Sequence, residues 1–166
     1  MTELSERAVA SRVPSLIDEK LKVLTRRDPL TVRPGTSLKA CLELIRETGV
    51  ADSVFVTDEA GHLKGVLTER DIFGRLVGPD VDLSQSVDTF MVDHPFTLHL
   101  DEPIRHAIEL MQTGRYRNVP LIDDDAILVG VVRPVDVLKY LAEAFPEELL
   151  NLPPRPHQKM EKPEGG

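Results

Sequence analysis

The chain has 166 residues, 41% hydrophobic and 29% charged, with a formal net charge of −8. That balance fits a soluble globular domain, or two small repeats sharing one core. The negative charge argues against nucleic acid or an anionic membrane as main partner, since both select basic surfaces, while a small anionic ligand needs only a few local cations.

Residues 1–14 are polar, end at Pro14 and form an N-terminal segment. The spacing of Leu16, Ile17, Leu21 and Leu24 predicts a helix over 15–24 with Ser15 as its cap. Asp28 to Gly35 reads as a brief extended piece and a turn. Thr36 or Ser37 caps the next helix, whose apolar positions Leu38, Cys41, Leu42 and Ile45 recur at i, i+3, i+4, i+7. Thr48-Gly49 stops it. Ser53–Thr57 and Leu63–Leu67 are predicted strands around a hairpin turn at Asp58–Gly61. Thr68 opens a helix to about Val77, ended by Gly78-Pro79.

The second half repeats this order. A short helix is predicted over Ser84–Met91 and an extended piece over His94–Leu98. A helix follows with Ile104, Ala107, Ile108 and Met111 on one face, stopped at Thr113-Gly114. Asn118–Ile122 and Ile127–Val132 are strands around Asp123-Asp124-Asp125, and Pro134 starts a helix to about Phe145. Thr48–Phe73 aligns without a gap on Thr113–Leu138, with identities at Thr48, Gly49, Val54, Asp58, Leu63, Gly65, Val66 and Asp71. These identities fall on turns, strands and one corner, so the repeat is real, with one residue dropped between the paired helices. The boundaries are 15–79 for the first repeat and 80–145 for the second. Residues 146–166 are rich in Pro, Glu, Lys and Gly and read as a mobile tail.

The corners Gly65–Asp71 and Gly130–Asp136 carry the chemistry. An Asp in the first turn of a helix can accept from both ribose hydroxyls, and a neighbouring Thr hydroxyl and the helix N-terminus suit phosphate. Thr68-x-x-Asp71 is equally a helix cap that needs no ligand. In the copy, Arg133 replaces the Thr while Asp136 is kept. Arg133, Arg115 and Arg117 suit an anion, or else pair with Asp123, Asp124 or Asp125.

These motifs together resemble a tandem pair of CBS domains, the cystathionine β-synthase repeat, over about residues 15–145. The resemblance is carried by Pro29–Val32, Leu38, Gly49 and Gly65–Asp71, and by Met91, Pro95–Leu98, Ile104–Met111, Gly114–Asp123 and Gly130–Asp136. It implies an α+β fold of two βαββα repeats packed sheet to sheet with pseudo-twofold symmetry. It implies a regulatory module, homodimeric, binding an adenosine ligand such as AMP, ADP, ATP, S-adenosylmethionine or NAD between the repeats, and acting on a regulated protein whose identity is open. No required cofactor is implied.

The preferred cleft on this reading is Thr97, Leu98, Arg117, Asn118, Val119, Pro120, Arg133 and Asp136. The second is Thr31, Val32, Ser53, Val54, Thr68 and Asp71, with the acidic Asp52 in its loop. The alternative is an assembly module whose clefts stay empty.

Other chemistry is thin. No nucleophile, general base or Gly-rich phosphate loop is evident, so catalysis is not expected. His94, His99 and His106 lack a ligand spacing, and no metal is expected. The single Cys41 lies on an apolar stripe, permits no intramolecular disulfide and fits a reducing compartment. No apolar run spans a bilayer and the N-terminus has no signal core, so a cytoplasmic location without membrane attachment is expected.

Overall fold

The computed structural model describes residues 15–75, 78, 80–114 and 116–144. The N-terminal segment, the end of the first corner helix near Val77, Arg115, and the tail with Phe145 lie outside them.

The strands are β1 (Thr31–Val32), β2 (Ser53–Thr57), β3 (Leu63–Thr68), β4 (Val92–Asp93), β5 (Leu98–His99), β6 (Val119–Ile122) and β7 (Leu128–Val132). The helices are α1 (Leu38–Thr48), α2 (Glu69–Arg75), α3 (Ile104–Gln112) and α4 (Pro134–Ala144). Ser37 caps α1 by accepting from the Ala40 N–H at 3.2 Å, and Gly49 ends it at φ +66°. Thr68 is the last residue of β3 and not the first of a helix.

Two predicted helices are replaced by tertiary pairing. Residues 15–17 make one helical turn, Lys20 is extended, and only Leu21–Val23 coil again, as a 3-10 turn. The cause is capture by the second repeat: Leu21 N–H donates to the Glu102 carbonyl at 2.8 Å and Lys22 N–H to that of Leu100 at 2.9 Å. Likewise Ser84–Met91 contains only the 3-10 turn Val87–Thr89, because Val87 N–H donates to the Thr36 carbonyl at 2.8 Å. A backbone N–H given to a distant carbonyl cannot also close an i→i−4 ring, so the second stretch stops at a single turn, with Met91 N–H on the Val87 carbonyl at 2.9 Å.

One sheet has the order β1-β2-β3-β4 and the other β5-β6-β7. β1 is parallel to β2, and β2–β3 is a hairpin with Ser53 opposite Thr68. β4, from the start of the second repeat, adds antiparallel to β3 of the first. Arg27 pairs with Val131 in the matching place. Each repeat therefore completes its neighbour. Leu21 and Leu24 are buried with Ile104, Ala107, Val119, Leu121, Val132 and Val137, while Val87 joins Leu38, Cys41, Val54, Val56 and Leu67.

All five residues of β2 are buried, and because successive strand residues face opposite sides its apolar ones divide between two cores. Val54 and Val56 face α1, while Phe55 joins Val66, Leu128 and Val131 between the two sheets. This is an α+β pair of repeats packed sheet to sheet. His62 bridges Ile127 across the pseudo-twofold axis, 65 residues apart, and Gly61 and Ala126, at the same offset, both have positive φ.

The β1 and β5 partners are offset by one residue more: Val32 opposes Val56, whereas Leu98 opposes Leu121. The extra residue of the second repeat falls near His94, which takes φ +47°. It is lost again in α3, since Gly49 and Gly114 return to the 65-residue offset.

Candidate functional site: two clefts between the repeats

The corners are built by the same backbone bond. Asp71 Oδ2 accepts from the Thr68 N–H at 3.0 Å and from the Thr68 hydroxyl at 2.6 Å, while Thr68 Oγ1 accepts from the Asp71 N–H at 3.3 Å. Asp136 Oδ2 accepts from the Arg133 N–H at 2.8 Å. Both aspartates are therefore helix caps, as the spacing allows. They differ in exposure: Asp71 is half-buried, and Asp136 is 5% exposed. Arg133 Nη2 lies 3.5 Å from Asp136 Oδ1, so this arginine pairs with its own corner aspartate and not with the Asp123–Asp125 turn. That turn is held internally, with Asp123 Oδ1 accepting from the N–H groups of Asp125 and Ile127.

Two clefts open between the repeats. The larger, about 560 Å³, is lined by Thr68, Glu69, Arg70, Asp71 and Phe73 of the first corner. Gly114, Tyr116, Arg117, Asn118 and Pro120 come from the second repeat, with Phe55, Val66, Val92 and Pro95 as its apolar wall. The smaller, about 310 Å³, is lined by Arg27, Asp28, Pro29, Leu30, Thr48, Val50 and Ala51, and by Val131 and Arg133. Asp52, Ser53, Phe55 and Asn118 line both. The Asn118 side-chain amide donates to Asp52 Oδ1 at 2.6 Å, which places a hydrogen-bonded partition between them.

The sequence grouping by repeat does not match this arrangement. Arg117 and Pro120 share a cleft with Thr68 and Asp71, and Arg133 stands in the other. The reason is the sheet-to-sheet packing, which sets the loop before β6 against the corner of the opposite repeat. Thr31, Val32, Val54, Thr97, Leu98, Val119 and Asp136 line neither cleft. Val54 and Val119 are fully buried in the repeat cores, and Thr31 is exposed. Ser53, expected in one cleft, lines both.

Sequence reasoning missed Arg27, Arg70, Phe73, Val92 and Tyr116. The strand pairs Arg27–Val131 and Val92–Val66 carry the 65-residue offset, but they form only between the repeats and leave no local pattern in the sequence. Tyr116 stands edge-on to Phe96, with ring centroids 6.1 Å apart, near the mouth formed by Pro95.

Elsewhere, His99, Asp101 and Asp124 bring ligand atoms within 4.8 Å of one another. His99 Nδ1 accepts from the Asp101 N–H at 3.0 Å, which leaves Nε2 as the protonated nitrogen, 2.8 Å from Asp124. Asp101 is in turn held by Lys20 and Lys22. Each group has a protein partner, and the tautomer offers no free ring lone pair. Burial pushes the Cys41 thiol up, away from nucleophile chemistry.

The CBS domain profile matches residues 17–78 and 87–143. The chain belongs to the CBS domain family. A relative, the uncharacterized protein MK0525 of Methanopyrus kandleri, is 28% identical over 130 residues, covering 76% of this chain and 66% of that protein. Two other relatives are spanned over only 44% and 22% of their length.

Among solved structures, the CBS domain pair of MJ0100 in complex with 5'-methylthioadenosine and S-adenosyl-L-methionine superposes with a TM-score of 0.63. It shares 23% identity, over 75% of this chain and 97% of that one. The cytosolic domain of the Mg2+ channel MgtE in complex with ATP gives 0.63 at 25% identity, over 80% and 53%. This CBS pair thus shares its fold with modules whose structures hold adenosine compounds. No helix among the described residues is long and apolar enough to cross a membrane.

Proposed function

We propose that this CBS pair is a regulatory module that binds an adenosine-containing ligand in the larger cleft and transmits its occupancy to a protein partner. The observation that carries this reading is Asp71. Among the described residues, both of its side-chain bonds fall on Oδ2, and the residue lines the cleft. Oδ1 can therefore accept from ribose hydroxyls without loss of the cap. Arg70 and Arg117 supply cations for a phosphate, and Phe55, Val66, Val92, Pro95 and Pro120 supply an apolar wall for a base. Asp136, by contrast, is buried and lines no cleft, so the preference moves from the second corner to the first.

The module acts as a homodimer on this reading. Phe73 and Leu138, 65 residues apart on α2 and α4, are each 64% exposed and offer matching apolar contacts for a second copy.

The test is a thermal-shift panel of AMP, ADP, ATP, NAD and S-adenosylmethionine on ligand-stripped protein. A ligand at 100 times its Kd adds about 2.7 kcal/mol, or roughly 5–10 °C for a chain of this size. Asp71→Asn should remove the larger cleft's share of the shift. Silence with every compound sinks this reading and favours an assembly module with empty clefts.

A further inference from the structure

The two corners share a backbone bond and differ in what covers the aspartate. At the first corner the Thr68 hydroxyl is short and leaves Asp71 open to the larger cleft. At the second, Arg133 lines the smaller cleft while Asp136 behind it is 5% exposed. The guanidinium is poorly held there. Its Nη2 contact with Asp136 is 3.5 Å, long for a charge-assisted bond, which is normally about 2.7–2.9 Å. Its Nε is buried and has no hydrogen-bond partner among the described residues. Buried donors are nearly always paired, so an orphaned one marks a position ready to change.

The cleft in front of Arg133 also holds Arg27. The acids facing it are Asp28 and Asp52, and Asp52 is already engaged by the Asn118 amide and by the Ser53 hydroxyl at 3.2 Å.

We propose that Arg133 makes the smaller cleft selective for phosphate-bearing adenosine ligands. A phosphate beside Arg27 draws the guanidinium off Asp136 and satisfies its donors in a fork that carbonyl or hydroxyl groups cannot match. Asp136 Oδ1 is then uncovered for the ribose. An uncharged nucleoside leaves Arg133 in place and meets no acceptor. The larger cleft has no such cover and takes nucleoside and nucleotide alike. The proposal rests on the reading that adenosine compounds are the ligands.

Isothermal titration with AMP and with adenosine tests it. The wild-type chain should bind two AMP and one adenosine. Arg133→Thr gives the second corner the first corner's residue and keeps the backbone N–H that Asp136 caps. It should gain the second adenosine site, read as a stoichiometry of two.

Equal stoichiometry for AMP and adenosine in the wild-type chain overturns the proposal without recourse to a variant. So does an unchanged adenosine stoichiometry in folded Arg133→Thr. If AMP fills one site only, and Asp71→Asn removes it, the function proposed above stands and this selectivity falls. If neither compound binds, both fall.

Discussion

Asn118 donates its side-chain amide to Asp52 at 2.6 Å, across 66 residues of chain and between the two repeats. Asn118 and Asp52 line both clefts, so this one bond closes each from the other. A hydrogen bond to a half-buried carboxylate is worth about 1.5–3 kcal/mol. Asn118→Asp sets two carboxylates face to face and should lower the unfolding free energy by at least that amount in urea melts. Exchanging the pair, Asp52→Asn with Asn118→Asp, should restore most of it.

Gly65 lies beneath Met91, and a Cβ there would stand 2.8 Å from Met91 Cγ. Gly65→Ala must push Met91 out of the first repeat's core, at a cost of about 1–3 kcal/mol. Met91→Ala in the same chain should make the Gly65→Ala change nearly neutral. A double-mutant cycle by chemical denaturation reads the coupling directly.

Leu21 is completely buried, yet it precedes the first repeat's strands and packs in the second repeat's core. Leu21→Ala should cost about 2–5 kcal/mol. Hydrogen exchange locates the damage: amides of β6 and β7 should lose protection before those of β2 and β3. The reverse order would mean that the segment does not complete the opposite repeat.

Hydrogen bonds from Lys22 and then Lys20 hold the Asp101 carboxyl down at about 2. The folded value lies below the unfolded value of about 3.9. The contribution of this pair is therefore present above about pH 4 and is lost as pH falls towards 2. Asp58 behaves alike, held at about 2 first by the His62 backbone N–H. Asp101→Asn should lower the stability above about pH 4 by this small contribution, small because the pair is exposed, and flatten the acid limb between about pH 4 and 2 by the same amount.

How much of the molecule was legible varied with the range of the forces involved. The helices at Leu38–Thr48 and Ile104–Gln112 announce themselves by apolar periodicity, and their glycine stops at Gly49 and Gly114 by a local need for positive φ. The predicted helices at 15–24 and 84–91 failed because their backbone donors are taken by carbonyls from distant segments, which no local pattern records. β4 is two residues long and exists only through its pairing with β3.

The candidate site divides along the same line. That Thr68 and Asp71 form one unit, and Arg133 and Asp136 another, follows from a three-residue spacing at the end of a strand, which the chain itself determines. Which corner leaves its aspartate open, and that Arg117 faces Asp71 while Arg133 closes over Asp136, was decided only when two sheets packed across a pseudo-twofold axis. Spacing dictates the local hydrogen bond. Burial and cleft membership depend on which surface arrives from the other repeat.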